Sequence, residues 1–105
     1  MKDSSEKFAH RREHMVEEQL RRRHIRDPLI FDALRRIPRH AFVLPQDQEA
    51  AYDDCPLPIG FGQTISQPYI VAYMTEQLHL QKTDTVLEIG MKAEPMMPKA
   101  CSMPY

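Results

Sequence analysis

Glycine is scarce in this chain. Only Gly60, Gly62 and Gly90 occur, so no G-x-G-x-x-G phosphate cradle can be assembled anywhere along it. No apolar run approaches the roughly 18 to 20 residues that span a bilayer, and Met1-Lys-Asp-Ser-Ser-Glu-Lys7 lacks the apolar stretch of a secretory signal. A cytoplasmic protein with no membrane partner is therefore expected. A formal net charge of -1 offers no general attraction to nucleic acid either. Cysteine is limited to Cys55 and Cys101, which could in principle pair; in a reducing compartment both are expected as free thiols. No Ser/His/Asp or Cys/His arrangement for nucleophilic catalysis stands out, nor does an internal repeat.

What is present suits one small folded unit. A chain of 105 residues buries roughly two-thirds of the surface that its unfolded form would expose. It is too short for a complete doubly wound sheet, whose βα units take about 30 residues each. Hydrophobic residues at 42% and charged residues at 28% lie near globular averages and argue against wholesale disorder. Phe8, Met15, Val16, Gln19 and Leu20 fall on one side of a helical wheel, predicting an amphipathic helix over about residues 6–23. Asp27 then offers an N-cap and Pro28 a first helical position, with Leu29, Ile30, Ala33, Leu34 and Ile37 repeating at helical spacing over residues 28–37.

Between Pro38 and Pro58 the chain carries four prolines, no glycine and only the apolar stretch Ala41-Phe-Val-Leu44, which predicts loops with one short strand. Gly60 and Gly62 bracket Phe61 in a turn. Pro68 opens a third helix over about residues 68–79, with Ile70, Val71, Met74 and Leu78 assigned to its inner face, and Thr85-Val-Leu-Glu-Ile89 reads as a strand over about residues 85–89. Residues 91–105 hold three of the nine prolines and four of the seven methionines without a sustained period, and read as an irregular tail.

Two constellations could carry chemistry. Thr64 and Ser66 present hydroxyls just before a helix whose first N–H groups lack intrahelical partners, a setting that suits a carboxylate. The alternative is that Ser66 or Gln67 simply caps that helix. His10-Arg-Arg-Glu13-His14 matches the H-x-x-E-H pattern of zinc peptidases, but both histidines point away from the apolar face and no third ligand is evident. The arginines at 21, 22, 23, 26, 35, 36 and 39 are interleaved with acids and read as solvated helix surface.

The run Leu57-Pro-Ile-Gly-Phe-Gly-Gln-Thr-Ile-Ser-Gln-Pro-Tyr69, together with Ile37-Pro-Arg-His-Ala-Phe-Val43 and Val86-Leu-Glu-Ile-Gly90, resembles the N-terminal part of the protein-L-isoaspartate O-methyltransferase family over about residues 15 to 90. The resemblance implies an N-terminal helical addition plus the first αβ unit of a Rossmann-like α/β fold dependent on S-adenosylmethionine, here incomplete. It implies methyl transfer to the α-carboxylate of isoaspartyl residues in damaged proteins, the ester then collapsing to a succinimide on the way back to aspartate. Ser66 matches the family's active-site serine, Gln63, Thr64 and Ile65 match residues lining the cofactor pocket, and Glu88 and Gly90 match the strand end beside the cofactor. Such chemistry needs no strong base, because the substrate carboxylate is already ionised at neutral pH. Where the family continues Gly90 into a Thr/Ser-Gly-x-Gly loop, this chain reads Met91-Lys-Ala-Glu-Pro-Met-Met-Pro98, so residues 1–90 are set apart from a divergent tail and the chain is expected to be inactive alone. The rival expectation is a non-catalytic remnant or helical interaction module that self-associates through its exposed strand edge.

Overall fold

The structure, a computed structural model, describes residues 4–89. Helix α1 (Ser4–Met15) runs directly into a π-helical turn at Val16–Leu20 and a 3₁₀ turn at Arg21–Arg23, so the first expected helix is present as one rod whose winding changes near its end. His24 stops it by adopting a left-handed conformation, φ 75°, and donating its N–H to the Arg21 carbonyl. Helix α2 (Pro28–Arg36) starts as its sequence dictates: Asp27 Oδ1 accepts the Leu29 N–H at 2.9 Å, and Pro28 occupies a position whose missing N–H has no consequence. Ile37 is extended, as the residue before a proline must be.

Two 3₁₀ turns follow, Arg39–Phe42 and Pro45–Ala50. They replace the strand expected within residues 41–44, since the Ala41 N–H closes a turn onto the Pro38 carbonyl at 2.8 Å and only Val43 of this stretch is buried. A hairpin comes next. Strand β1 (Leu57–Gly60) pairs antiparallel with β2 (Gln63–Ile65), setting Leu57 opposite Ile65 and Pro58 opposite Thr64, with a bulge before Gly60 meets Gln63. Its turn has positive φ at Gly60 (97°), Phe61 (58°) and Gly62 (70°), which two glycines allow at little steric cost and which Phe61 tolerates with its ring in solvent.

Helix α3 (Pro68–Glu76) is shorter than expected, because the Gln77 N–H turns back to the Tyr73 and Thr75 carbonyls and His79 is left-handed at φ 53°. Its expected inner face is also corrected. Pro68 and Ala72 are the buried residues, whereas Met74 is 64% and Leu78 58% exposed. Ala72, with nothing beyond Cβ, is the residue turned into the core where α3 meets the Val16–Leu20 turn and α2; the larger side chains of Ile70, Met74 and Leu78 meet no opposing layer among the described residues.

Residues 85–89 are not a strand here. They pair with neither β1 nor β2, and Val86, Leu87 and Ile89 are exposed. Gly90 and the tail lie outside the described residues. The described architecture is thus three helices, their connecting turns and one two-stranded antiparallel sheet, compatible with an incomplete α/β methyltransferase fold. No described helix is long and apolar enough to cross a membrane.

The core gathers Met15, Val16 and Leu20 from the first rod with Ile30 and Phe31 of α2, Tyr52, Leu57 and Ala72. Phe8 stacks on His40 at 4.0 Å between ring centroids, and the Tyr52 hydroxyl accepts from Arg12 Nη1 at 2.9 Å while lying 3.0 Å from His40 Nδ1. Burial, with Arg12 nearby, pushes the His40 imidazole below its ordinary value. Cys55 is buried and is not a free thiol in this structure, contrary to expectation; Cys101 lies outside the described residues. Arg39 is buried as well, with Nε donating to the Ala51 carbonyl at 2.5 Å and Nη2 to the Cys55 carbonyl at 3.3 Å; burial pushes its guanidinium down to about 10, so it stays charged at neutral pH. Leu20 has no exposed surface. Leu20→Ala is therefore expected to cost about 2–5 kcal/mol, read as a shift in the chemical-denaturation midpoint of the chain.

Candidate functional site

The hairpin and α3 together place the residues singled out in the sequence. Strand β2 delivers Gln63, Thr64 and Ile65, all half-buried, with Ile65 packed on the core. The side chains of Gln63 and Thr64 have no hydrogen-bond partner among the described residues. Ser66 follows in the open. Its hydroxyl has no partner among the described residues, so it does not cap α3.

Gln67 occupies the cap position, but its side chain also leaves the helix end free. Gln67 Nε2 donates instead to Asp54 Oδ1 at 2.7 Å, and only its carbonyl serves the helix, accepting the Val71 N–H at 3.1 Å. Pro68 has no N–H to satisfy, while the N–H groups of Tyr69 and Ile70 find no partner among the described residues. An exposed hydroxyl thus stands in front of a helix end that still has donors to offer, which is a setting for an anionic group.

Asp54 is the centre of this arrangement. Arg23 grips its carboxylate with both terminal nitrogens, Nη1 reaching Oδ1 at 3.0 Å and Nη2 reaching Oδ2, while the same guanidinium lies 5.4 Å from the centre of the Tyr69 ring. Burial alone would raise the Asp54 carboxyl; the hydrogen bonds from Arg23 and Gln67 and the Arg23 charge outweigh it, so the group lies below the usual carboxylate range. The other end of α3 is also tied. Glu76 Oε2 accepts the backbone N–H groups of Arg26 at 2.8 Å and Asp27 at 3.1 Å.

Arg23 and Asp54 were not legible as site residues. Arg23 sits in a run of arginines that reads as solvated surface, and its partner lies 31 positions away in a loop with no local signature. Glu88 is exposed and shares no hydrogen bond or ion pair with residues 63–66 among the described residues. Gly90 lies outside the described residues. His10 and His14 border an open polar depression with Arg11, Glu49, Tyr52 and Asp53, yet no group of three or more metal-ligating side chains forms among the described residues.

Two apolar clefts flank α3. One, of about 320 Å³, runs between α2 and α3 past Leu29, Leu34, Val71 and Leu80. The other, of about 200 Å³, shares Leu34, Ile37 and Val71 with it and reaches Ile65 and Pro68 on either side of residues 66 and 67.

A family model described as Protein-L-isoaspartate(D-aspartate) O-methyltransferase matches residues 10–93. A protein-L-isoaspartate O-methyltransferase of Synechococcus sp. (strain JA-2-3B'a(2-13)) is 57% identical over 88 residues, covering 84% of this chain and 36% of the relative. Protein-L-isoaspartate O-methyltransferase 2 of Pelobacter propionicus is 62% identical over 81 residues, 77% of this chain and 36% of the relative. A protein-L-isoaspartate O-methyltransferase of Opitutus terrae is 61% identical over 79 residues, 75% of this chain and 34% of the relative. The chain spans about a third of the length of these relatives.

Because its folded pKa is depressed, Asp54 contributes stability that is present above its unfolded value of about 3.9 and is lost as pH falls through the lower folded value. Removing the charge should flatten that limb. In denaturant titrations run at successive pH values below about 5, the parent chain is expected to lose stability with acid more steeply than Asp54→Asn; parallel curves would show that the carboxylate is not preferentially ionised in the folded state.

Proposed function

Since the chain belongs to the protein-L-isoaspartate O-methyltransferase family, we propose that residues 63–69 form the carboxylate-facing side of an S-adenosylmethionine-dependent methyl-transfer site acting on isoaspartyl residues in damaged proteins. The observation that carries this reading is the unpaired Ser66 hydroxyl in front of an uncapped α3. The hydroxyl donates a hydrogen bond to one oxygen of the isoaspartyl α-carboxylate, and the Tyr69 and Ile70 N–H groups favour the negative charge. That carboxylate is ionised at neutral pH, so no side chain has to remove a proton. What the protein contributes is alignment of a carboxylate oxygen with the methyl donor, and exclusion of water that would screen the attraction between opposite charges.

The residues present fit one wall of a cofactor pocket. Gln63 and Thr64 offer unpaired polar groups at half-buried positions, and Ile65 adds an apolar face beside the smaller cleft. S-adenosylmethionine supplies, when bound, a methyl group on a positively charged sulfur. Glu88 and Gly90 are proposed for the facing side of the same pocket.

Ser66→Ala tests the reading. In a protein that joins residues 1–89 to the C-terminal remainder of the Synechococcus relative, the substitution is expected to lower methyl transfer to an isoaspartyl peptide by more than about tenfold. Turnover equal to that of the parent would show that the hydroxyl does not orient the substrate.

A further inference from the structure

Ser66 has little of its own to hold it. It is exposed, it makes no side-chain hydrogen bond among the described residues, and it joins a three-residue strand to a helix that no side chain caps. Yet an orienting hydroxyl must stay within a fraction of an ångström of its working place. The anchor has to lie in its neighbours.

Gln67 and Tyr69 both lead to the same pair of charges. Gln67 is a polar side chain only 9% exposed, and a polar group buried to that extent needs a hydrogen-bond partner. It finds one in Asp54, at 2.7 Å. Arg23 braces the same carboxylate, its Nη1 sharing Oδ1 with Gln67 and its Nη2 holding Oδ2, and lays its guanidinium by the Tyr69 ring. Pro68, between them, is fully buried.

Building on the reading of Ser66 as the residue that orients the substrate carboxylate, we propose that Asp54, braced by Arg23, is the positioning residue of this site, fixing residues 66–69 through Gln67 and keeping the Gln67 side chain away from the start of α3. The second half of this role matters as much as the first. A Ser, Thr, Asn or Asp at the cap position turns a side-chain oxygen onto the first free N–H groups of its helix. Drawn to Asp54, Gln67 leaves those groups open to an incoming carboxylate.

Backbone ¹⁵N relaxation on the full 105-residue chain tests the proposal. In the parent, Ser66 and Tyr69 are expected near the rigid order parameter of about 0.85. In Asp54→Ala and in Gln67→Met, which leaves the Arg23–Asp54 pair intact, they are expected to fall below about 0.6, while Val16 and Leu20 keep their parent values. Asp54→Glu, which retains a carboxylate, is expected to recover most of the order. Unchanged order at residues 66–69 in Gln67→Met would overturn the proposal. So would a loss spread evenly over Val16 and Leu20, since that would mark a general structural role. Ser66→Ala in the protein joined to the remainder of the Synechococcus relative separates the two readings: lowered methyl transfer supports the site as a whole. Turnover equal to the parent's, with residues 66–69 ordered and loosened in the Asp54 and Gln67 variants, overturns the role given to Ser66 and leaves the anchoring by Asp54 standing.

Discussion

The charge pair between Arg23 and Asp54 is the contact on which the placement of α3 rests. With 31% and 28% of their side chains exposed, the two groups lie between the surface regime and the buried one. Exposed pairs contribute less than about 1 kcal/mol, whereas stranding one member of a buried pair costs about 3–5 kcal/mol. What raises this pair above the surface case is that its carboxylate serves a third group. Gln67 would otherwise be a buried amide facing no acceptor, so one carboxylate joins three segments distant in sequence.

That dependence changes what the N-terminal helices are for. Both ends of α3 are tied to residues 23–27, the connector between the first helical rod and α2: Arg23 acts through Asp54 at one end, and the Arg26 and Asp27 N–H groups meet Glu76 at the other. Nine residues of helix are thereby held at start and finish by a five-residue strip of chain. The helical addition is the frame of the candidate site, and the apolar clefts between α2 and α3 follow from the spacing it sets.

Local signals were legible in the sequence, and long-range ones were not. Asp27 and Pro28 marked the start of α2 because capping is a matter of adjacent residues, and Gly60, Gly62 and Pro68 marked the hairpin turn and the next helix start for the same reason. The segment from Gln63 to Ser66 is singled out through its family resemblance and the hydroxyls of Thr64 and Ser66 before a helix start. The inner face of α3 was misread because apolar spacing shows which residues share a side, not which side has a neighbour; Ile70 and Met74 share one, and Ala72 faces the core. Residues 85–89 have strand composition without a strand, since a ladder needs a second chain segment that composition cannot supply. Arg23 and Asp54 escaped notice because an ion pair across 31 positions leaves no periodicity to read.

The buried Arg39 ties down the loop that carries Asp54. Among the described residues its guanidinium donates to no carboxylate but to the Ala51 and Cys55 carbonyls, which bracket residues 52–54. Were this loop to lift away in part, a cation would be left in a dry interior with no acceptor, a far worse state than loop closed or chain unfolded. Partial opening of the loop is thereby disfavoured relative to the closed arrangement. Asp54 sits within that tied segment without a hydrogen bond to Arg39 of its own.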